Sequence, residues 1–562
     1  MECWWSWDRQ RAYNLFPGEQ PHSFTLPSPL PQWPQGDGFA EGRICLGEIE
    51  VVQITQFEKI WSCKPSFGKS STVTFYQPVD VPEGFSVLGH YCQPDEKQLS
   101  GYVLAARDSS SVQHSGSSLP PLEKPLSYTL VWTMDGSSCN GSGYIWLPNA
   151  PDGYLPTGFL VTAEPDEPDL EGIRCVRADL TESAEACSLI FTTKSIFSKK
   201  QFQVWTTRPC ERGVSCKGVS IGTFFCRTNV SSDNDLSIAC LKNLDSNLHA
   251  MPNLDQIHAL IQEYGPTVYF HPNEVYLPSS VPWFFKNGAL LYKDGNNNGI
   301  AIDSTGSNLP AGGANDGAFW LDLPDNEEKR DFVRFGNIES AELYVNVKPA
   351  LGGTHTDIVM WVFCPFNGPA TLKVGLMSYD MNRIGQHVSD WEHYTLRVSN
   401  FSGALWSLYF SEHSGGEWLP VNELEFINGN KPIVYSSRNG HASFPHPGSY
   451  IQGSSVLGIG AKNDCDQSKH SVDSSSRYQI IAAEYLGEGV VAEPHWLQFM
   501  REWGPTVEYG SASEVDKIIN HLPFFVRLSV ESLFEIFPTE LYGEEGPTGP
   551  KEKDNWLGDE RC

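Results

Sequence analysis

The chain has 562 residues, 40% of them hydrophobic and 12% aromatic, and its 39 basic against 68 acidic side chains leave a formal charge of −29. That length predicts three or four domains, or fewer if they are β-rich, and 19% charged residues is too few for a disordered chain. Fifty Gly and 39 Pro against seven Met argue against a mainly helical protein, and so acidic a surface argues against nucleic acid or anionic membrane as main partners, leaving cations, neutral polar ligands and basic proteins.

The first residues, Met1 to Phe16, lack the basic flank, apolar run and small-residue cleavage site of a signal peptide. Apolar runs such as Ile358–Cys364 fall far short of the roughly 20 residues that span a bilayer, so no transmembrane segment is expected. Fourteen cysteines without CxxC pairs read as free thiols in a reducing compartment. The expected location is therefore cytoplasmic, free or peripheral to endomembranes or the vacuole.

Residues 1–40 are a Pro-rich lead (Pro27, Pro29, Pro31, Pro34) expected to be extended. Residues 41–230 carry an internal repeat. Trp61, Phe75, Pro82-Glu-Gly84-Phe85, Gly89 and Arg107 return in order as Trp132, Tyr144, Pro151-Asp-Gly153-Tyr154, Gly158 and Arg177, with Gly84 to Gly153 a step of 153 − 84 = 69 residues. A degraded third copy holds Phe202, Trp205, Gly213, Gly218 and Cys226-Arg227. A fixed period means one supersecondary unit stacked on its copies, and three small sheets predict a three-repeat β-prism-like domain. Trp61 and Trp132 recur at equivalent positions, which suits core residues better than sugar platforms.

Residues 231–252 read as a linker. A short helix follows at Asn253–Tyr264, with Leu254, Ile257, Leu260 and Ile261 on its apolar face and Gly265-Pro266 as its stop. The rest of 253–540 is strand-like, with further helices expected near Pro494–Trp503 and Ser513–Leu522. It forms a β-sandwich with a few short helices, and 541–562 reads as an acidic, Gly/Pro-rich tail. The fold class expected is all-β.

Chemistry concentrates between Tyr379 and His446. His387-Val-Ser-Asp390-Trp-Glu392-His393 leads into an alternating, half-buried strand, which points Asp390 and Glu392 to one face about 7 Å apart. Two carboxylates and an imidazole suit a divalent cation, Ca²⁺ or Mg²⁺, or an acid/base pair. His413, His441 and His446 join them: five of the fifteen histidines fall within 60 residues, which favours one shared polar site. Glu274, in Phe270-His-Pro-Asn-Glu274, is a turn residue or a remote further ligand. Asp294-Gly-Asn-Asn-Asn298 begins like a calcium loop, but Thr305 stands where the bidentate Glu belongs, so a plain loop is expected.

Several segments resemble the plant relatives of the vacuolar protein sorting-associated family. These are Leu30-Pro-Gln-Trp-Pro-Gln-Gly36, Gly84-Phe-Ser-Val-Leu-Gly-His-Tyr91, His271-Pro-Asn-Glu-Val-Tyr-Leu-Pro-Ser-Ser-Val281, His387-Val-Ser-Asp-Trp-Glu-His393 and Gly543-Glu-Glu-Gly-Pro-Thr-Gly-Pro-Lys551. The resemblance covers nearly the whole chain and implies a plant protein connected with vacuolar sorting. A narrower resemblance links Gly385–Glu392 to the G-H-R-H-D-W-E motif of the necrosis-inducing Nep-like proteins, which are β-sandwich cytolysins. It implies that His387, Asp390 and Glu392, with Asp380 upstream at a spacing one residue different, are metal ligands, and that the ion helps bind sugar headgroups. Gln386 and Val388-Ser389 depart from that motif, which speaks against cytolysis.

Three functions follow. The first is cation-assisted binding of a glycan or lipid headgroup by Asp380, His387, Asp390 and Glu392 with His413, His441 and His446, in vacuolar or endomembrane trafficking. The second is a metal-dependent hydrolase using the same groups. The third is an interaction scaffold. The balance leans away from an enzyme.

Overall fold

The computed structural model describes residues 23–64, 72–94, 98–109, 119–134, 141–193, 202–228, 236–381, 384–413, 415–454, 459–506 and 546–561. The chain is all-β, with many sheets and few helices. The expected helix at Ser513–Leu522 lies outside the described residues, and the one near Pro494 shrinks to a 3₁₀ turn at His495–Gln498.

In the N-terminal half, Phe85 N–H bonds Pro82 O at 3.1 Å and Tyr154 N–H bonds Pro151 O at 3.0 Å. Both turns need a left-handed third residue, supplied by Gly84 and Gly153 at φ +83°. The third copy departs from the expected alignment. Its turn runs from Gly213 to Cys216 with Gly at the first position, and Thr223 stands where the other copies have Gly89 and Gly158. Strands Val103–Asp108 (β1), Cys175–Arg177 (β2) and Ala239–Lys242 (β3) end the three copies. Leu104 N–H donates to Ile221 O, Arg174 N–H to Val87 O, and Ala239 N–H to Pro156 O, at 2.9–3.1 Å. Each copy thus bonds its predecessor and the first bonds the third, which closes a ring. At its centre a Cβ on Gly158 would stand 2.9 Å from Gly89 Cα and 2.8 Å from Thr223 Cγ2, so only glycine fits.

The Pro-rich lead runs along the second half, where Trp33 donates its indole N–H to Ser402 O at 3.0 Å. Helix α1 (Leu254–Tyr264) starts on a reciprocal capping box between Asn253 and Gln256 and turns Ile257, Leu260, Ile261 and Tyr264 inward. The two halves share a core in which Phe401 packs among Leu46, Val219 and Leu241, and Tyr102 meets Trp406 at 5.0 Å. Cys63 is disulfide-bonded, against the expectation of free thiols; among the described residues ten other cysteines are free.

The second half is built on Leu343–Ala350 (β4), His355–Asn367 (β5), the hairpin Thr371–Val374 (β6) and Met377–Asp380 (β7), then His387–Ser399 (β8), Leu405–Glu412 (β9), Gly415–Pro420 (β10) and Tyr478–Ala482 (β11). The central sheet has the order β10-β9-β8-β5-β4-β11, antiparallel except between β4 and β11. All thirteen residues of β5 are buried. One face of this sheet packs on α1 and a smaller sheet through Val345, Met360, Leu396 and Val434; the other packs on Phe284, Phe285, Trp496 and Trp503. Strand β8 is therefore not half-buried, as its alternation suggests, because both faces are covered. The calcium-like stretch is the turn of a hairpin between Leu290–Lys293 and Asn296–Ala301. Residues 546–561 are no loose tail: Trp556 is 4% exposed in the second core.

Candidate functional site

The site grows from the start of β8. Cys364 faces Asp390 and Phe366 faces Val388 across the sheet, while Ser389 between them adopts φ +59°. Opposite, the turn after Lys431–Ser436 bends through Asn439 at φ +70° and His441 at φ +53°. Three buried non-glycine residues in the left-handed region cost about 1–3 kcal/mol each, so their surroundings must hold them there. Those surroundings are polar. Glu274 accepts the N–H groups of Val275 and Tyr276 on one oxygen and that of Asn439, at 2.5 Å, on the other. His441 faces an acceptor at each ring nitrogen: Asp390 Oδ2 at 2.8 Å from Nδ1, and Tyr276 O at 2.8 Å from Nε2. Only an imidazolium donates at both. Burial opposes that charge, but Cys364, the Asp390 bond and Glu274 outweigh it and hold His441 well above the usual histidine range. Burial likewise pushes Asp390 up, and the His441 bond and charge more than reverse it, leaving the carboxyl below its ordinary value. The pair is a buried ion pair.

Two residues on, Glu392 behaves oppositely. Burial and then the Asp390 charge raise its carboxyl to about 8, although Ser411 Oγ donates to it at 2.8 Å. Glu392 is thus protonated at neutral pH and partly exposed. It lines a cleft of about 680 Å³ together with His393, Ser411, Glu412, His413, Arg212 and Lys553. Three segments far apart in sequence form this wall: Arg208–Arg212 of the repeat region, strands β8 and β9, and the 552–561 stretch.

That last stretch is locked in by charge. Glu560 bonds His393 Nε2 at 2.9 Å and Thr395 Oγ1 at 2.5 Å, and its carboxyl falls to about 2 because His393, Lys348 and Thr395 overcome the effect of burial. Arg397 makes a two-point bond to Asp357, 2.8 Å each, and a third to Asp559 at 3.1 Å. Asp559 reaches Arg212 at 3.0 Å, and Arg212 reaches Glu185 at 2.8 Å. Charges alternate from the central sheet to the repeat region through one aspartate.

The residues singled out in the sequence divide accordingly. Asp390 and His441 form the buried pair, with His387 close enough for its charge to act on Asp390; His387 itself is pushed down by burial and bonds Ser389 O at 2.6 Å. Glu392 and His413 line the cleft, and His413 abuts Gly440, whose Cβ would lie 2.8 Å from its Cε1. His393 lines the same cleft and bonds Glu560, but the half-exposed His446 bonds Glu425 at 2.7 Å away from it, so the five histidines do not share one site. Asp380 is exposed on the β6–β7 hairpin, where Thr371 donates to it at 3.2 Å. Among the described residues no three of His, Cys, Asp and Glu gather to hold a metal ion. The structure does not bring the four expected ligands together: Asp390 bonds His441, Glu392 accepts from Ser411, His387 bonds Ser389 O and Asp380 stands on the hairpin. Sequence reasoning missed Cys364, Lys553 and Glu560, and gave Glu274 only a remote role; no local spacing marks groups as far apart as Cys364 and His441, or His393 and Glu560.

The fold and cleft define an all-β protein with a polar cleft built between its two halves. The chain belongs to the family described as vacuolar protein sorting-associated protein 62, which it matches over residues 20–560. No curated protein matches it. Among solved structures it is similar to GNIP1Aa from Chromobacterium piscinae, at 16% identity and a TM-score of 0.27, over 38% of this chain and 40% of that one. The match therefore spans well under two thirds of that relative. NLPPya in complex with glucosamine is 12% identical over 41% of this chain and 74% of its own, with a TM-score of 0.20. Necrosis and Ethylene inducing Protein 2, from the causal agent of cocoa's Witches Broom disease, is 13% identical over 41% and 74%, with a TM-score of 0.19. Nothing about this chain's ligand follows from scores of that size. No helix among the described residues is long and apolar enough to cross a membrane.

Proposed function

We propose that the protein is a binding protein for a polyhydroxylated ligand, a glycan either free or as a glycolipid headgroup, held in the cleft between β8, β9 and the 552–561 stretch. The observation that carries this reading is the composition of the cleft wall. Arg212, Lys553 and protonated Glu392 are donors, Glu412 is an acceptor, and Ser411 and His413 can be either. A wall of both kinds suits hydroxyl groups, which donate and accept at once, better than a ligand of one charge. A volume of about 680 Å³ lies within the usual small-ligand range. The family description supports a connection with vacuolar sorting, and a place peripheral to endomembranes is part of the proposal.

Calorimetric titration with a panel of mono- and oligosaccharides, including glucosamine as the sugar carried by NLPPya, tests this. At least one sugar is expected to bind, and His413→Ala is expected to weaken it about tenfold, the worth of one or two hydrogen bonds. No heat from any sugar sinks the reading. The hydrolase alternative is favoured by one observation, two neighbouring carboxyls driven apart in proton affinity; cleavage of an oligosaccharide that Glu392→Gln abolishes would select it.

A divalent cation, Ca²⁺ or Mg²⁺, remains a separate proposal. Such an ion would compete with His441 for Asp390, so its binding should weaken as pH falls. Equal heats for wild type and Asp390→Asn would remove it.

A further inference from the structure

We infer that the tip of the β6–β7 hairpin is a contact for a zwitterionic lipid bilayer. The hairpin pairs Lys373 with Ser378, Leu372 with Tyr379 and Thr371 with Asp380, and it turns through Gly375 and Leu376. Gly375, at φ +59°, is what so tight a turn requires. No such requirement holds at Leu376, where any small polar residue would serve. Yet its side chain is 97% exposed, far beyond any other large apolar residue described, and Met377 beside it is 50% exposed. Folding does not explain a leucine there.

The shape of the feature selects the partner. A lone convex apolar tip needs a pocket in a protein partner, whereas a bilayer closes around it without one. Polarity also changes in the right order along the hairpin. Behind Leu376 and Met377 come Lys373 and Ser378, then half-buried Tyr379 with its hydroxyl 3.2 Å from Met377 Sδ, and last Asp380 beside Thr371 at the base; Lys373 and Tyr379 each carry an apolar stem and a polar end. Over four strand residues, roughly 13 Å, the side chains pass from apolar to amphipathic to charged. Interfacial segments have that gradient, burying apolar groups about 5–10 Å deep with tyrosine at the headgroup level. The hairpin is also firmly presented, because β6 pairs with Ile459–Cys465 from Leu372 to Val374. Charge then chooses the lipid: a chain of net charge −29 is repelled by an anionic surface and indifferent to a zwitterionic one.

Flotation of the full chain with phosphatidylcholine vesicles tests the contact. Wild type is expected to float with the vesicles. The double variant Leu376→Ser, Met377→Ser should lose about tenfold or more in partitioning, since it removes two apolar side chains from the bilayer. Leu376→Phe should retain binding, and replacing a third of the lipid with phosphatidylserine should weaken it. Unchanged thermal melting of the double variant shows that its fold is intact, as the exposure of both residues predicts. Wild type that stays in solution, or a serine variant that floats equally well, overturns the inference. So does a variant whose sedimentation changes without lipid, which would make the tip a contact between copies. The vesicles carry no sugar, so failure here leaves the cleft reading standing.

Discussion

His441 is the residue on which the buried chemistry turns. An imidazolium 2% exposed survives only because Asp390 and the Tyr276 carbonyl each accept a hydrogen bond from one of its N–H groups. Removing either partner leaves the other charge buried and alone. Asp390→Asn and His441→Gln should each destabilise the chain by about 3–5 kcal/mol, whereas the double variant should cost clearly less than their sum. Urea unfolding of all four proteins checks this, and additive losses would deny the pair its ionic character. Asp390 and Glu392 were legible from the Asp-Trp-Glu spacing, as residues of interest. Their opposite proton affinities were not, because these depend on what comes through space from residues 274, 364, 411 and 441.

At the scale of elements, the repeat shows what a period can and cannot reveal. Gly84 and Gly153 stood out because a turn needs them, and the structure gives both the same φ. The third copy could not be aligned by its glycines, since Gly213 has moved to the head of its turn and Thr223 has entered the centre of the ring. Thr223 earns its place by bonding: its hydroxyl donates to Thr157 O at 2.7 Å, and that of Thr157 donates to Leu88 O at 3.2 Å. Gly158→Ala should therefore cost about 1–3 kcal/mol through forced separation of the copies, whereas Gly141→Ala, with open space around it, should cost only the strain of its left-handed backbone. Equal losses, measured by thermal melting, would show that the close approach does not matter. Helix α1 was legible to within a residue because its cap, apolar stripe and Gly-Pro stop are all local signals. The burial of β8 on both faces was not, since it depends on elements outside the strand, from the smaller sheet at Val434 to helix α1.

Across the whole molecule, the junction between the halves holds a histidine that cannot easily charge. His355 is 1% exposed, its Nε2 lacks a partner, and it lies 5.8 Å from Tyr102 of the repeat region. Burial and then Arg397 lower its pKa to about 3. His90 is similarly lowered to about 4 by burial, and Val161 N–H donates to its Nδ1. Both folded values lie below the unfolded 6.5, so their stability is fully present above pH 6.5 and is lost as pH falls toward 3 or 4. Between pH 6.5 and 5 each should remove about 2 kcal/mol, at 1.4 kcal/mol per unit. Glu392 opposes them: its folded value of about 8 exceeds the ordinary 4.5, so its contribution is present below 4.5 and lost as pH rises through 8. The clean measurement is therefore the difference in slope between wild type and His355→Gln from pH 7 to 5. Parallel slopes would show that the junction is insensitive to acid.

The 546–561 stretch adds an order of events. A ribosome presents Arg397 long before Asp559, and at 5–20 residues per second the gap is roughly 8–30 s. Until the stretch emerges, His393, Lys348 and Arg212 lack the partners it brings, and the cleft has no outer wall. The newborn chain thus passes through an interval in which the two halves can share their apolar core but lack the ionic clamp that residues 546–561 supply. A chaperone that recognises exposed cationic grooves would find its opening then, and binding competence would arrive abruptly, with the last of these contacts.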